Sequence, residues 1–276
     1  MKFVTPKVFV LAATCIQDGM FDYLDCIGAS EWKDNNIIKL DKFDGAENEV
    51  GYDIVSADSK HPEKLIEVAS RSCYKSFGTG LNPNISKVRE GNREHIENVI
   101  KSRHGSVLEH SSITFAFCDV SRVFTHELVR HRAGVAISQE SLRYVRLTEL
   151  KAYCPDEFDE DDKSFMKGIF EVLENTQKHF SSKYNLDDEK SFATKKKLTS
   201  AMRRLAPLGL ATSIVWTANM RVLRHVIPLR THESAEEEIR KVFKVVGQIC
   251  KDTFPNIFFD MTLNEKDEWV VKYEKV

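Results

Sequence analysis

Strict alternation of apolar and polar residues marks one segment of the chain, Ser112–Cys118. Ile113, Phe115 and Phe117 would lie on one face of an extended chain, with smaller or polar residues between them. Because successive side chains of a strand point to opposite faces, this pattern predicts a half-buried strand. Continuous apolar runs predict two further strands, both buried, at residues 8–16 and 210–217.

Apolar residues at helical spacing are found along much of the remaining chain. One helix is predicted from Pro62, since proline suits the first helical position, with an apolar stripe of Leu65, Ile66, Ala69 and Cys73. Further helices are predicted after Ser86, over 121–129, after the acidic run 156–162, across Lys195–Arg204, after Asn219 and after Ser234.

Local signals predict where some of these helices begin and end. Asn219 is a preferred N-cap residue, and Ser234 with Glu237 forms a capping box before the final helix. Gly134 is expected to end the helix over 121–129, because glycine tolerates the left-handed conformation of a C-terminal cap.

The order of elements predicts a single α/β domain over residues 1–276, of the α+β type, with helices around a small sheet. No internal repeat, low-complexity tract or convincing linker divides the chain. Residues 17–60 are polar and carry turn signals at Asp34-Asn35-Asn36 and Asp44-Gly45, so irregular structure is expected there.

Composition narrows the class of protein. Of the 276 residues, 42% are hydrophobic and 30% are charged, and the formal net charge is −2, which argues against a general nucleic-acid-binding surface. No apolar run approaches the roughly 20 residues of a membrane span. The six cysteines are widely scattered, which predicts reduced thiols and a cytoplasmic location.

The densest cluster of chemically useful side chains is Arg130-His131-Arg132, with Ser141, Arg143 and Tyr144 close behind it. Cations are favoured at the C-terminus of a helix by its dipole. Guanidinium groups that enter a loop also bind phosphate or carboxylate oxygens in pairs. A solvated basic helix end explains the same pattern, so this segment alone leaves both interpretations open.

A zinc site is not expected, although His126-Glu127 resembles the start of a metalloprotease motif. The second histidine, His131, follows five residues later instead of four. Five residues rotate a helix by roughly 140° in excess of one turn, so the two imidazoles do not share a face. The chain also lacks a Cys-x-x-Cys pair.

A second set of cations follows the predicted strand 210–217. Arg221 and His225 are four residues apart and share a helix face, and Arg230 follows. A basic amphipathic helix with its arginines extended to solvent accounts for this locally. However, the chain has no glycine-rich phosphate loop and several arginines at helix–loop junctions, which is typical of a protein that binds anionic ligands through side chains.

In their order along the chain, these residues resemble the flavin-dependent thymidylate synthases. The first part comprises Leu108-Glu109-His110, the alternating strand, Arg130-His131-Arg132 and the Ser-x-Arg-Tyr at 141–144. The second part comprises Arg203, the segment Trp216–Arg221, Leu229-Arg230 and the capped helix that leads to Phe254-Pro255. The resemblance covers about residues 62–258, and the stretches 17–60 and 145–190 are expected to be elaborations.

The resemblance implies a central antiparallel sheet flanked by helices, in a homotetramer whose active sites form where subunits meet. It implies methylation of dUMP to dTMP, with methylenetetrahydrofolate as carbon donor, FAD as cofactor and NADPH as reductant. Because the flavin carries the redox step, no protein nucleophile is required. No metal, nucleic-acid partner or membrane is implied.

The resemblance also implies which residues contact the ligands. The positions expected to bind FAD are His104, Ser106, Arg130, His131, Arg132, Gln139, Asn219, Arg221 and His225. The positions expected to bind dUMP are Glu127, Arg130, Gln139, Glu140, Ser141, Arg143, Arg203 and Arg230. Arg230 is expected near the uracil ring as the catalytic group, since a cation there stabilises the negative charge that develops on the ring.

Three departures from the family pattern fall in these segments. Eight residues, Ala133–Glu140, separate the two motifs where seven are usual. Glu127 stands where glutamine is usual, and His225 and Ser234 stand where asparagine and histidine are usual. These changes bear on ligand contacts more than on the fold.

Two other functions stay open at this point. One is a related flavoenzyme that modifies another pyrimidine nucleotide, and the other is a protein that binds flavin or nucleotide without turnover. Arg203, Arg230, Ser141 and Arg143 argue against the second, because a bare flavin binder does not need the set of residues that binds the nucleotide.

Overall fold

The computed structural model of the protein describes residues 1–39, 54–55, 61–147 and 149–276. Its helices are α1 (Gly19–Cys26), α2 (Ser30–Asn36), α3 (His61–Tyr74), α4 (Asn92–Lys101), α5 (Arg122–Leu128), α6 (Glu160–Lys183), α7 (Phe192–Met202), α8 (Met220–Thr231) and α9 (Glu237–Thr253). Its strands are β1 (Lys2–Phe3), β2 (Lys7–Ala13), β3 (Ile38–Lys39), β4 (Ile54–Val55), β5 (Ser112–Ser121), β6 (Val135–Gln139), β7 (Lys151–Ala152), β8 (Ala211–Asn219), β9 (Met261–Leu263) and β10 (Trp269–Val271). None of these helices is long and apolar enough to cross a lipid bilayer.

The main sheet of the described chain has four strands in the order β2-β5-β8-β6. The other described strands form pairs: β1 with β7 in parallel, and β3 with β4 and β9 with β10 antiparallel. The predicted fold class is confirmed, because the chain forms a mixed helix-and-strand fold with an antiparallel sheet.

The burial of the predicted strands agrees only in part with the sequence pattern. Ile113, Phe115 and Phe117 of β5 are buried, as alternation predicts. In β8 every second residue is buried and the others are partly exposed, so burial on both faces is wrong there. It is also wrong for β2, where Phe9 and Leu11 are 48% and 55% exposed. β2 is an edge strand, and apolar content alone does not show whether another element covers a strand.

The described residues divide into two compact units. The first unit comprises Met1–Leu11, Phe115–Thr217 and Glu233–Phe243. The second unit comprises Ala12–Thr114, Ala218–His232 and Lys244–Val276.

The first unit has an aromatic core. Phe117 of β5 and Phe124 of α5 pack edge to face with their ring centres 5.3 Å apart. Trp216 of β8 and Phe243 of α9 pack in the same way at 5.8 Å. Edge-to-face pairs stabilise a core beyond the effect of burial alone. This packing holds α5, and therefore the cations that follow it, against the strands.

Two helices replace part of the irregular structure predicted for residues 17–60, of which 40–53 and 56–60 lie outside the described residues. The predicted turn Asp34-Asn35-Asn36 forms the end of α2, whereas Asp44-Gly45 lies outside the described residues. Leu24 of α1 and Trp32 of α2 are buried in an apolar cluster with residues of α3. Each short helix buries a single residue, so the segment is polar overall although it contributes to the core.

The apolar stripe predicted for α3 is wrong in part. Cys73 is exposed, and four charged residues are buried instead: Glu63, Lys64, Glu67 and Arg71. The Glu67 carboxylate accepts hydrogen bonds from Lys64 Nζ at 2.8 Å and from Arg71 Nε at 2.9 Å. Burial raises the pKa of Glu67, but the charges of Lys64 and Arg71 outweigh it and leave that pKa lowered. The charged face of α3 can be buried because its members are paired.

Of the two predicted helix caps, at Asn219 and at Ser234, the structure confirms the first. Asn219 is the N-cap of α8, and its Oδ1 accepts a backbone N–H at 2.9 Å. The capping box predicted at Ser234 is wrong, because α9 begins at Glu237 and the Glu236 carboxylate accepts the backbone N–H of Glu238 at 2.9 Å. An acidic side chain directly before a helix can satisfy the same free N–H groups.

Candidate active site

A cavity of about 520 Å³ lies in the second unit. It is lined by three residues that were expected to bind FAD, His104, Ser106 and Arg221. Four more cationic side chains line it, and no motif had singled them out: Arg71, Lys87, Arg89 and Arg103. The cavity is therefore suited to an anionic ligand.

His95 also lines this cavity but adds no charge. Burial, reinforced by the nearby Arg71, lowers the pKa of His95 to about 4. The imidazole is therefore neutral at physiological pH, and its Nε2 is hydrogen-bonded to the hydroxyl of Ser70. The positive charge of the cavity comes from its arginines and lysine.

His104 is held by the end of α4 and by an aromatic neighbour. Its backbone N–H donates to the carbonyl of Val99 at 3.0 Å, and the preceding residue, Arg103, has a left-handed backbone with φ of +61°. The imidazole stacks on the ring of Tyr74, with ring centres 5.7 Å apart and planes at 23°. Sequence reasoning missed Tyr74, since nothing local links it to His104.

Arg221 is fixed within the same cavity. Its Nη1 donates to Glu109 Oε1 at 2.6 Å, and its Nε donates to the backbone carbonyl of Val276 at 2.9 Å. Val276 approaches so closely that a Cβ on Gly105 would lie 2.2 Å from its carbonyl carbon. A side chain at position 105 would therefore displace Val276, and Arg221 already has part of its charge matched by Glu109.

A buried ion pair anchors α8, the helix that carries Arg221. Arg224 donates to both carboxylate oxygens of Asp260, at 2.8 and 3.0 Å, and to the carbonyl of Ile257 at 2.6 Å. Burial raises the pKa of Asp260, but its contacts with Arg224 outweigh that and lower it. On the same helix His225 is exposed and Arg230 is partly exposed, and neither of these two side chains lines the cavity.

In the first unit, α5 leads directly to Arg130-His131-Arg132. Its N-cap is Ser121, whose Oγ accepts the backbone N–H of Phe124 at 3.1 Å. The backbone N–H of Ser121 donates to the buried carboxyl group of Glu238 at 2.7 Å, and its hydroxyl contacts that group as well. The helix that precedes these cations is thus fixed through Glu238.

We expect Glu238→Gln to reduce the pH dependence of stability. Burial raises the pKa of Glu238 from about 4.5 to about 7, against the opposing effect of the hydrogen bonds from Ser121. The folded state therefore binds this proton more tightly than the unfolded state does. Wild-type stability should fall as the pH rises from about 4.5 to about 7, by about 1 kcal/mol per pH unit from this group.

Urea unfolding at several pH values between 4.5 and 8 would test this expectation. The difference in unfolding free energy between wild type and Glu238→Gln should be roughly constant outside the titration window. Glu160→Gln, at an exposed carboxylate of α6, is the control and should follow the wild type. A stability difference between wild type and Glu238→Gln that does not change with pH would show that the prediction is wrong.

The helix that precedes these cations is shorter than predicted. α5 ends at Leu128, and Gly134 adopts its left-handed φ of +67° in the turn before β6. The segment after the turn is a strand at the sheet edge instead of a loop. Arg130 and Arg132 are exposed, and Arg130 Nε donates to the carbonyl of His126 at 3.2 Å.

Two expected ligand residues at the end of β6 contact α5. Gln139 Nε2 donates to Thr125 Oγ1 at 3.0 Å, and Arg122 Nη2 donates to the carbonyl of Glu140 at 3.1 Å. Burial lowers the pKa of Arg122, the Glu140 charge opposes this, and the Arg203 charge adds to it. The structure therefore places Glu140 and Arg203 near Arg122, which sequence reasoning missed.

The Ser-x-Arg-Tyr segment is held by its own backbone and by α7. Ser141 Oγ accepts the backbone N–H of Arg143 at 3.3 Å, and Thr199 Oγ1 donates to the carbonyl of Arg143 at 2.6 Å. Tyr144 stacks on Phe192 with ring centres 5.9 Å apart. The side chain of Arg143 is left exposed.

The expected ligand residues thus fall into two groups. The second unit holds His104, Ser106, Asn219, Arg221, His225 and Arg230. The first unit holds Glu127, Arg130, His131, Arg132, Gln139, Glu140, Ser141, Arg143 and Arg203. Across the described ranges, no cluster of three or more His, Cys, Asp or Glu side chains is arranged to hold a metal ion.

A family profile and a relative of known family both match most of this chain. A family profile described as "Thymidylate synthase complementing protein" matches residues 54–256. A flavin-dependent thymidylate synthase of Clostridium tetani is 33% identical over 207 residues, which cover 72% of this chain and 81% of that protein.

Two solved structures are similar in fold. The UMP/dUMP methylase PolB of Streptomyces cacaoi, bound with 5-Br dUMP, has a TM-score of 0.58 and 15% identity, over 94% of this chain and 97% of that one. Thymidylate Synthase X of Helicobacter pylori, with FAD and dUMP, has a TM-score of 0.50 and 22% identity, over 73% of this chain and 93% of that one.

Proposed function

The chain belongs to the flavin-dependent thymidylate synthase family, and on that premise we propose that it methylates dUMP to dTMP with FAD as its cofactor. The observation that carries this proposal is the cationic cavity of the second unit, which His104, Ser106 and Arg221 line together. Arg221 is far along the chain from His104 and Ser106, and the family resemblance placed all three at the flavin.

The residues that line the cavity fit the chemistry of FAD. Guanidinium groups suit pyrophosphate oxygens, and the stacked rings of Tyr74 and His104 offer a flat apolar wall. When bound, the flavin would supply the hydride chemistry. Arg221 must exchange or share its contacts with Glu109 and Val276 if it is to bind a phosphate.

The cations of the first unit are proposed to bind the nucleotide phosphate. Arg143 and Arg203 are exposed and have the charge to bind the dUMP phosphate, while Ser141 offers a hydroxyl as a hydrogen-bond partner. Arg230 is proposed beside the uracil ring, where its charge would stabilise the electrons that move onto a carbonyl oxygen. Glu127, Gln139 and Glu140 are proposed as further contacts.

We propose that the active enzyme is a homotetramer with shared sites, in the cytoplasm. The exposure of Arg130, Arg132, Arg143 and Arg203 supports this, since cations exposed on one chain are accessible to another subunit and its ligand. Methylenetetrahydrofolate is proposed as the carbon donor and NADPH as the reductant. The family resemblance is the basis for proposing these two co-substrates.

Release of tritium from 5-tritiated dUMP tests the proposal. We expect release and dTMP formation only when FAD, methylenetetrahydrofolate and NADPH are all present, because the C5 hydrogen must leave as the methyl group is attached. Omission of each component in turn supplies the controls. A flavin-loaded protein that releases no tritium from dUMP would contradict the proposal.

The same assay distinguishes methylation of dUMP from the second candidate function, which is modification of another pyrimidine nucleotide. The fold is shared with a UMP/dUMP methylase over nearly all of this chain, so 5-tritiated UMP is the informative competitor. Faster release from UMP than from dUMP would favour that candidate.

A further inference from the structure

We propose that Lys87, Arg89 and Arg103 form a phosphate-binding subsite for a nucleotide in the cavity of the second unit. None of these three residues belongs to the motifs that led to the family or to the ligand sets derived from them. The inference rests on the proposed function only for the identity of the nucleotide.

The charge balance of the cavity is the first argument. Arg71 is paired with Glu67 at 2.8 Å, and Arg221 is paired with Glu109 at 2.6 Å. By contrast, Lys87, Arg89 and Arg103 take part in no ion pair within the part of the chain that the structure describes. Three cations that line one cavity repel each other, and a polyanionic ligand would relieve that repulsion.

Two of the three cations also line a second cavity beside the first. A neighbouring cavity of about 220 Å³ is lined by Lys87 and Arg89, with the polar side chains of Asn84 and Ser86 and one carboxylate, Glu94. Lys87 and Arg89 thus face both cavities. Three cations shared between two adjoining cavities suit a ligand with more than one phosphate group.

The backbone of Arg103 is the second, independent argument. Arg103 follows the end of α4 with φ of +61°, a conformation in which glycine avoids steric strain that other residues incur. A cation after a helix C-terminus interacts favourably with the helix dipole, but at this backbone conformation arginine incurs strain that glycine would avoid. Its side chain lines the cavity, next to the stacked pair of Tyr74 and His104.

The chain provides a matched control for this residue. Lys75 follows α3 in the same left-handed conformation, with φ of +50°, and it is also an exposed cation. Lys75 does not line the cavity, although its neighbour Tyr74 does. Replacement by glycine relieves the same strain at both positions, so only Arg103→Gly should affect a ligand in the cavity.

The test measures ADP, FAD and NADP⁺ binding by calorimetry on full-length wild type, Arg103→Gly and Lys75→Gly. We expect both variants to melt at or above the wild-type temperature. We expect Arg103→Gly to weaken ADP binding about tenfold or more, since a hydrogen bond to a charged group is lost. Lys75→Gly should stay within about twofold of wild type. Lys87→Ala/Arg89→Ala should weaken ADP binding in the same direction as Arg103→Gly.

Binding of FAD and NADP⁺ shows which of the two ligands places its phosphates in the subsite. A loss of FAD affinity in Arg103→Gly assigns the subsite to the flavin, and a loss of NADP⁺ affinity assigns it to the reductant. Unchanged affinity for ADP, FAD and NADP⁺, an equal loss in Lys75→Gly, or no ADP binding to the wild type would each overturn the proposal. Binding of ADP that depends on Arg103 in a protein that releases no tritium from dUMP would refute the proposed reaction and leave the subsite intact.

Discussion

Arg230→Ala is expected to lower the rate of dUMP methylation by on the order of 10²–10³ while flavin remains bound. The proposal places the guanidinium of Arg230 beside the uracil carbonyl that gains negative charge during the reaction. Loss of a preorganised cation raises the barrier without a comparable loss of binding. α8 should keep its position, because Arg224 and not Arg230 forms the buried anchor of that helix.

Single-turnover rates and flavin absorbance of the variant would test this expectation. Arg230→Lys should give an intermediate rate, since lysine keeps the charge but lacks the planar pair of donors. Arg204→Ala is a matched control at an exposed arginine and should keep full activity. Near-normal turnover in Arg230→Ala would show that Arg230 does not stabilise the reacting ring.

Arg224→Met is expected to destabilise the protein by about 3–5 kcal/mol. The side chains of Arg224 and Asp260 are only 3% and 2% exposed, so the variant would leave a carboxylate buried without its partner. The carbonyls of Ile257 and Tyr273 would lose their donor as well. Breaking one side of a buried pair costs more than the pair contributes.

Urea unfolding with a fitted slope would measure the effect. Arg221→Ala is the matched control on the same helix, and it should cost less than about 1 kcal/mol because its pair with Glu109 is 45% and 49% exposed. The double variant Arg224→Met/Asp260→Leu should recover much of the loss, since no lone charge is then buried. Equal losses in Arg224→Met and Arg221→Ala would contradict this account.

The amino-acid sequence by itself determined the features that depend on neighbours along the chain. The alternation around Phe115 predicted β5 and its buried face, and Asn219 predicted the start of α8. The order of the arginine-containing motifs predicted the family, which the comparisons confirm. Periodicity, caps and motif order are local or sequential properties, so a single sequence contains them.

Tertiary structure alone decided which charged groups are buried and which apolar groups are not. The carboxylate of Glu67 is buried because Lys64 and Arg71 neutralise it, although all three have the composition of a surface helix. Phe9 and Leu11 of the edge strand β2 remain about half exposed although both are apolar. Polarity in the sequence gives the cost of burying a residue, whereas the partner that offsets this cost is known only once the chain has folded.

The cation-lined cavity shows the same division. Arg221 and His104 were expected at a ligand from the family resemblance. Tyr74, Lys87 and Arg103 join them only because the ends of α3 and α4, the segment between these helices and the start of α8 meet at one place. No spacing rule links residues on different helices, since their distance depends on how those helices pack. The sequence therefore determined the kinds of side chain available for anion binding, and the packing of α3, α4 and α8 decided which of them share the cavity.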